Sequence, residues 1–103
     1  PGLTWYNGSK GAVNLLSKSM AVELGSHGIR VNAICPVIGE TGMLQQFMGQ
    51  PDTPENRAKF IATIPLGRFS RPSDVAAVAH FLATDAAEFI SGVEFPVDGA
   101  RTV

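Results

Sequence analysis

Ile29-Arg30-Val31-Asn32-Ala33-Ile34-Cys35 is the stretch on which the fold of this chain turns. It is mostly apolar and has turn signals at both ends. Gly25-Ser26-His27-Gly28 precedes it and Pro36 ends it. Such a run predicts a largely buried strand of a parallel sheet. The loop that follows, Val37-Ile38-Gly39-Glu40-Thr41-Gly42, then leaves the strand's carboxyl end. In open α/β sheets ligands bind at that edge.

Upstream, the pattern predicts one long helix over Thr4–Leu24, closed by Gly25. Steps of about 100° group Tyr6, Lys10, Val13, Leu16, Ser17, Met20 and Leu24 on one broad face. Tyr6 and Lys10 are four residues apart, so their side chains are neighbours. A free phenol has a pKa near ~10 and is a poor proton acceptor at neutral pH. A nearby ammonium favours its ionised form, and a tyrosine so placed exchanges protons with an alcohol or carbonyl oxygen. The bland alternative is a half-buried aromatic beside a solvated amine. Sharing the core-facing stripe favours chemistry. Another face carries Gly8, Gly11, Leu15, Ser19 and Val22. Each interior glycine costs about 1 kcal/mol relative to alanine. A close-packed helix offsets this, from a second subunit or from the same chain.

Downstream, Met43–Ser70 is the least regular part. Met43, Leu44, Phe47 and Met48 indicate a short helix, and Glu55–Thr63 another, with Pro51 and Pro54 between them. Flexible Met and Phe side chains suit an adaptable pocket or lid. A satellite core under a long loop fits equally. Pro72 and Asp74 open the next helix, with Val75, Val78, Ala79 and Leu82 as its buried stripe. A helical turn around Ala86–Ile90 follows. Val93–Val97 reads as the second strand, at a sheet edge because of Pro96. Two strands and a few helices cannot cover one another. The chain therefore reads as the second half of a larger α/β domain.

Composition narrows the field. The chain has 103 residues and a formal net charge of −1. With no basic stripe, neither nucleic acid nor an anionic membrane is an expected partner. No apolar run approaches the ~20 residues of a membrane span. A single cysteine, Cys35, allows no internal disulfide and suits a reducing, cytoplasmic setting.

Tyr6-Asn7-Gly8-Ser9-Lys10-Gly11-Ala12-Val13 resembles the Tyr-x-x-x-Lys helix of the classical short-chain dehydrogenase/reductases. Glu23-Leu24, Gly28–Ile34 and Pro36 resemble that family's next helix end and strand. Thr41 and Met43 match its Thr-x-Met. Pro65-Leu66-Gly67-Arg68, Pro72-x-Asp74-Val75-Ala76, Phe81-Leu82-Ala83, Ser91-Gly92 and Val97-Asp98-Gly99 continue the match in order. The resemblance implies the second half of a Rossmann-like, doubly wound parallel sheet in three α/β/α layers. Residues 1–103 would be the C-terminal part of one NAD(P)-binding domain, with a substrate loop at about 42–67. Tyr6 would be the general acid/base. Lys10 would bind the nicotinamide ribose and hold down the tyrosine pKa. Pro36, Val37, Ile38 and Thr41 would line the cofactor, Ile38 and Thr41 at the carboxamide. Met43, Leu44 and Phe47 would face substrate. The reaction would be hydride transfer between NAD or NADP and a carbonyl or secondary alcohol. A homodimer or homotetramer would form through the first helix and the final helix and strand.

The chain departs from the family pattern at Val37 and Ala100, where glycine is common, and at Gly8, where alanine is. It contains no Gly-rich strand-to-helix turn for phosphates and no serine placed ahead of Tyr6 for catalysis. The expectation is a C-terminal portion that by itself binds dinucleotide poorly. A second reading is a non-catalytic α/β oligomerisation module of the same fold. Among the remaining residues, Cys35 reads as a buried inert thiol. His27 reads as solvated and His80 as a partly buried packing residue. Asp98 reads as a turn former, and Arg68 and Arg71 as ion-pair or surface residues. Two distant histidines make no metal site.

Overall fold

Twenty-one residues without a proline, Thr4–Leu24, form α1, with the bounds the periodicity predicts. This computed structural model describes residues 1–103. Gly25 stays right-handed and continues into a 3₁₀ turn, Gly25–His27. Gly28, at φ 72°, closes the helix instead, its N–H bonding Gly25 O at 3.0 Å. The left-handed stop thus falls three residues later than expected. The later position lets Ile29 N–H reach back to Leu24 O at 3.3 Å.

The chain divides into two compact units. The first comprises residues 1–33 and 82–95. Here Asn14, Ser17, Ala21 and Leu24 are the half-buried residues of α1, while Val13, Leu16 and Met20 are exposed. The covered stripe is therefore narrower and more polar than predicted. Gly92, at φ 76°, brings its backbone against it, so that a Cβ there would lie 3.4 Å from Ala21 Cβ. Lys18 pairs with Glu94 at 3.1 Å.

The predicted strand over 29–35 is shorter than expected: β1 covers Ala33–Pro36, and β2 covers Glu94–Val97. Side chains take over the bonding before β1 begins. Val31 N–H donates to Ser91 Oγ at 3.1 Å. Asn32 Nδ2 donates to Ile90 O at 3.0 Å, and Asn32 Oδ1 accepts Val93 N–H at 3.1 Å. Arg30 Nη2 donates to Leu82 O at 2.7 Å. These contacts hold residues 30–32 beside 90–93 without a regular ladder. Ala33 N–H then bonds Val93 O at 2.9 Å. The short turn Asp85–Ala87 places Ala87 in full burial.

The second unit comprises residues 34–81 and 96–103. α2 spans Leu44–Met48 and ends at Gly49, φ 64°. α3 spans Pro54–Ile61, with Pro54 in its first turn. Thr53 caps it, accepting Asn56 N–H at 3.2 Å. α4 spans Pro72–Ala83. Leu44, Met48, Ile64 and Phe69 form the buried core, with Ile38, Phe60 and Ile61 against it. The irregular segment is thus the core of its own unit. On α4, Val75, Val78 and Leu82 are half-buried, but Ala79 and His80 are exposed, against expectation. Val37 N–H bonds Val97 O at 3.4 Å, the same chain offset as Ala33 with Val93, so β1 and β2 run parallel.

Candidate active site

In the first unit, α1 sets Tyr6 and Lys10 one turn apart. Lys10 Nζ lies 5.7 Å from the centroid of the Tyr6 ring. Tyr6 is 45% exposed and Lys10 is exposed. Ser9 Oγ donates to Tyr6 O at 2.7 Å, across the turn that carries the pair. No residue of the chain bonds the phenolic hydroxyl, and the ammonium is in no ion pair. At about 100° per residue, both project in the direction of Asn14, Ser17, Ala21 and Leu24. The pair thus continues the half-buried stripe to where it becomes open surface. A proton donor and a cation, side by side and unengaged, are what proton exchange with a bound oxygen requires.

In the second unit, Pro36 ends β1 and the chain runs through Val37, Ile38 and Gly39 to Thr41. Val37 and Ile38 are half-buried, and Ile38 rests on the core. Thr41 is exposed, and its Oγ1 accepts Met43 N–H at 3.2 Å. Leu44 N–H bonds Thr41 O at 3.1 Å, which joins this loop to α2. Leu44 itself is 3% exposed, inside the core, whereas Met43 and Phe47 stand out from it. Tyr6 and Lys10 therefore come together in the first unit. Pro36, Val37, Ile38, Thr41, Met43 and Phe47 belong to one continuous segment of the second.

A residue with no sequence signal organises that segment. Ser70 forms a parallel bridge with Gly39. Its N–H bonds Ile38 O at 3.3 Å and its carbonyl accepts Glu40 N–H at 2.9 Å. Its hydroxyl reaches Val37 O at 3.3 Å. A serine between Phe69 and Arg71 carries no motif, and its partners lie some thirty residues away.

The charged groups nearby are structural. Arg68 Nη1 and Nη2 grip Asp74 at 2.7 and 2.9 Å. Together with the Arg71 N–H, this holds the Asp74 carboxyl down at about 2. Arg57 engages Asp52 through a side-chain bond of 2.9 Å, and that bond lowers the Asp52 carboxyl below its ordinary value. Asp98 is lowered first by the Thr102 hydroxyl and also by the N–H groups of Ala100 and Thr102. It is a turn former, as expected. Cys35 is half-buried in β1, less enclosed than expected. His27 is exposed beside Ser26. A concavity of about 420 Å³ is lined by Val37, Phe69, Val78, Val97 and Gly99, with Arg68 and Asp74 also on its wall. Of the candidate residues only Val37 reaches it, so it is not read as the reaction cleft. No helix is long and apolar enough to cross a membrane.

Residues 1–101 match the family described as enoyl-(acyl carrier protein) reductase. The chain is 54% identical over 103 residues to the 4-formylbenzenesulfonate dehydrogenase TsaC1/TsaC2 of Comamonas testosteroni, covering 100% of this chain and 41% of that protein. It is 43% identical over 103 residues to an inactive 2-(S)-hydroxypropyl-CoM dehydrogenase 2 of Xanthobacter autotrophicus, covering 99% of this chain and 45% of that one. Among solved structures, a 3-ketoacyl-(acyl-carrier-protein) reductase from Brucella melitensis complexed with NADH superposes with a TM-score of 0.87 at 43% identity. That match covers 100% of this chain and 39% of the other. The chain thus spans about two-fifths of the length of these relatives.

Proposed function

We propose that this chain, which belongs to the short-chain dehydrogenase/reductase family, carries the proton-transfer pair of an NAD(P)-dependent oxidoreductase acting on a carbonyl or secondary alcohol. The observation that carries the reading is Lys10 Nζ at 5.7 Å over the Tyr6 ring, with both polar tips open. Family membership alone does not suffice, because an inactive dehydrogenase stands among the relatives.

The donor set fits a nicotinamide ribose. Lys10 offers three N–H donors and no acceptor, suited to a pair of sugar hydroxyls. When bound, the dinucleotide would give a hydride to the carbonyl carbon in reduction and take one from the alcohol carbon in oxidation. In the reducing direction the Tyr6 hydroxyl gives its proton to the substrate oxygen; in the oxidising direction Tyr6 takes it back. The Lys10 charge stabilises the negative charge that develops on the phenolic oxygen. Ile38 and Thr41 are assigned to the carboxamide, with Pro36 and Val37 beside them. Met43 and Phe47 are assigned to the substrate side, and Leu44 to holding them from within the core. We place residues 1–103 in one NAD(P)-binding Rossmann-like domain, with 42–67 as its substrate segment, in a cytoplasmic enzyme. A second copy of the chain is assigned to the α1 face of Leu15 and Val22, which are 68% and 83% exposed.

The test is Tyr6→Phe in the protein as its gene encodes it, assayed with NADH or NADPH and a panel of ketones and aldehydes. Turnover is expected to fall about a hundredfold or more, with dinucleotide affinity retained. Unchanged turnover would remove the mechanism, whereas absence of turnover in the wild-type protein would favour the non-catalytic module.

A further inference from the structure

We infer that Ser70 is a positioning residue that sets the cofactor-contacting segment Val37–Thr41, and that Gly39 is glycine in order to admit it. The inference rests on the reading of Ile38 and Thr41 given above. Ser70 engages this segment with three groups. Its N–H takes Ile38 O at 3.3 Å, and its carbonyl takes Glu40 N–H at 2.9 Å. Its hydroxyl takes Val37 O at 3.3 Å, with Ile38 O at 3.4 Å. These contacts bracket Gly39 on both sides. A Cβ at Gly39 would stand 2.9 Å from Ser70 Oγ and 3.3 Å from Ser70 O. Real Cβ atoms scarcely tolerate the first distance, so a side chain there would turn the Ser70 hydroxyl away from Val37 O and press on the bridge by a few tenths of an ångström. Gly39 has no left-handed φ to explain it. Close approach is the remaining requirement.

The clamp has a mechanical consequence. Ile38 is anchored below by the core and held on its backbone by Ser70. Thr41 follows within one turn, its N–H bonded to Gly39 O at 2.9 Å. Freedom at residue 39 would therefore be transmitted to both assigned contacts. Removing the hydroxyl weakens the clamp from one side. A methyl at Gly39 opens it from the other.

The experiment uses Ser70→Ala, Ser70→Thr and Gly39→Ala in the protein as its gene encodes it. Amide hydrogen exchange is followed first, without cofactor. Exchange is expected to quicken severalfold at residues 38–43 in Ser70→Ala and Gly39→Ala, but not along α1. NADH and NADPH are then titrated. Affinity for whichever is bound should weaken about threefold to tenfold in both variants, with kcat held within about twofold, and Ser70→Thr should restore it. Wild-type exchange at 38–43, or unchanged affinity in Gly39→Ala, would overturn the assignment. If Tyr6→Phe retains turnover while the exchange result holds, the catalytic reading fails and the clamp stands.

Discussion

Arg68 grips Asp74 with two parallel hydrogen bonds, at 2.7 and 2.9 Å, across the start of α4. The same carboxylate accepts Arg71 N–H at 2.7 Å. One acidic side chain thus closes the helix N-terminus and ties it to the preceding loop. The folded carboxyl titrates at about 2, below its ordinary 3.8. A depressed carboxyl stabilises the fold fully above its ordinary value and loses that contribution as pH falls through the lower one. Asp74→Asn is therefore expected to lower the urea midpoint near about pH 7 and to flatten its decline between about pH 4 and pH 2. Equal acid sensitivity in variant and wild type would contradict this.

Gly99 is required by both conformation and space. Its φ is 59°, and a Cβ would lie 2.7 Å from Ile64 Cγ2 and 3.3 Å from Leu66 Cβ. Leu66 N–H also bonds Gly99 O at 3.2 Å. Gly99→Ala combines a left-handed penalty with overpacking, an expected loss of about 2–4 kcal/mol. Chemical denaturation measures it. A loss under about 1 kcal/mol would show that the Ile64 side yields freely.

Ala100 has the opposite problem. It is the one non-glycine residue with positive φ, at 71°. Asp98 imposes this by bonding the N–H groups of Ala100 and Thr102, at 2.9 and 3.1 Å. Ala100→Gly relieves about 1–2 kcal/mol of strain, less the extra chain entropy of glycine. A net gain of roughly 0.5 kcal/mol is expected, read as a small rise in Tm.

Lys10→Met separates binding from proton transfer. Loss of a charged hydrogen bond to the cofactor costs about 1.5–3 kcal/mol, so dinucleotide Kd should rise about tenfold or more. Tyr6→Phe should leave that Kd nearly unchanged. Fluorescence titration with NADH or NADPH distinguishes the two.

Local signals served well wherever the deciding contacts are local. α1 has the predicted bounds because periodicity and the absence of proline act within a few residues. α3, expected over Glu55–Thr63, spans Pro54–Ile61: Thr53 and Pro54 start it one residue earlier, and it ends two residues sooner. The first strand came out short because Asn32 and Ser91, roughly sixty residues apart, replace its early ladder bonds. Composition could not show that pairing. Met43 and Leu44 look alike in sequence. Packing buries Leu44 and leaves Met43 exposed.

By itself, the order of residues determined the helix that carries Tyr6 and Lys10, and with it their adjacency. A rise of one turn in four residues makes them neighbours whatever else the chain does. Only the tertiary structure decided where the half-buried stripe of α1 gives way to open surface, and which residue holds Gly39. Those answers depend on groups distant in sequence that fold back onto the site. Ser70 illustrates this: its role arises from close backbone approach, which no pattern around a serine encodes.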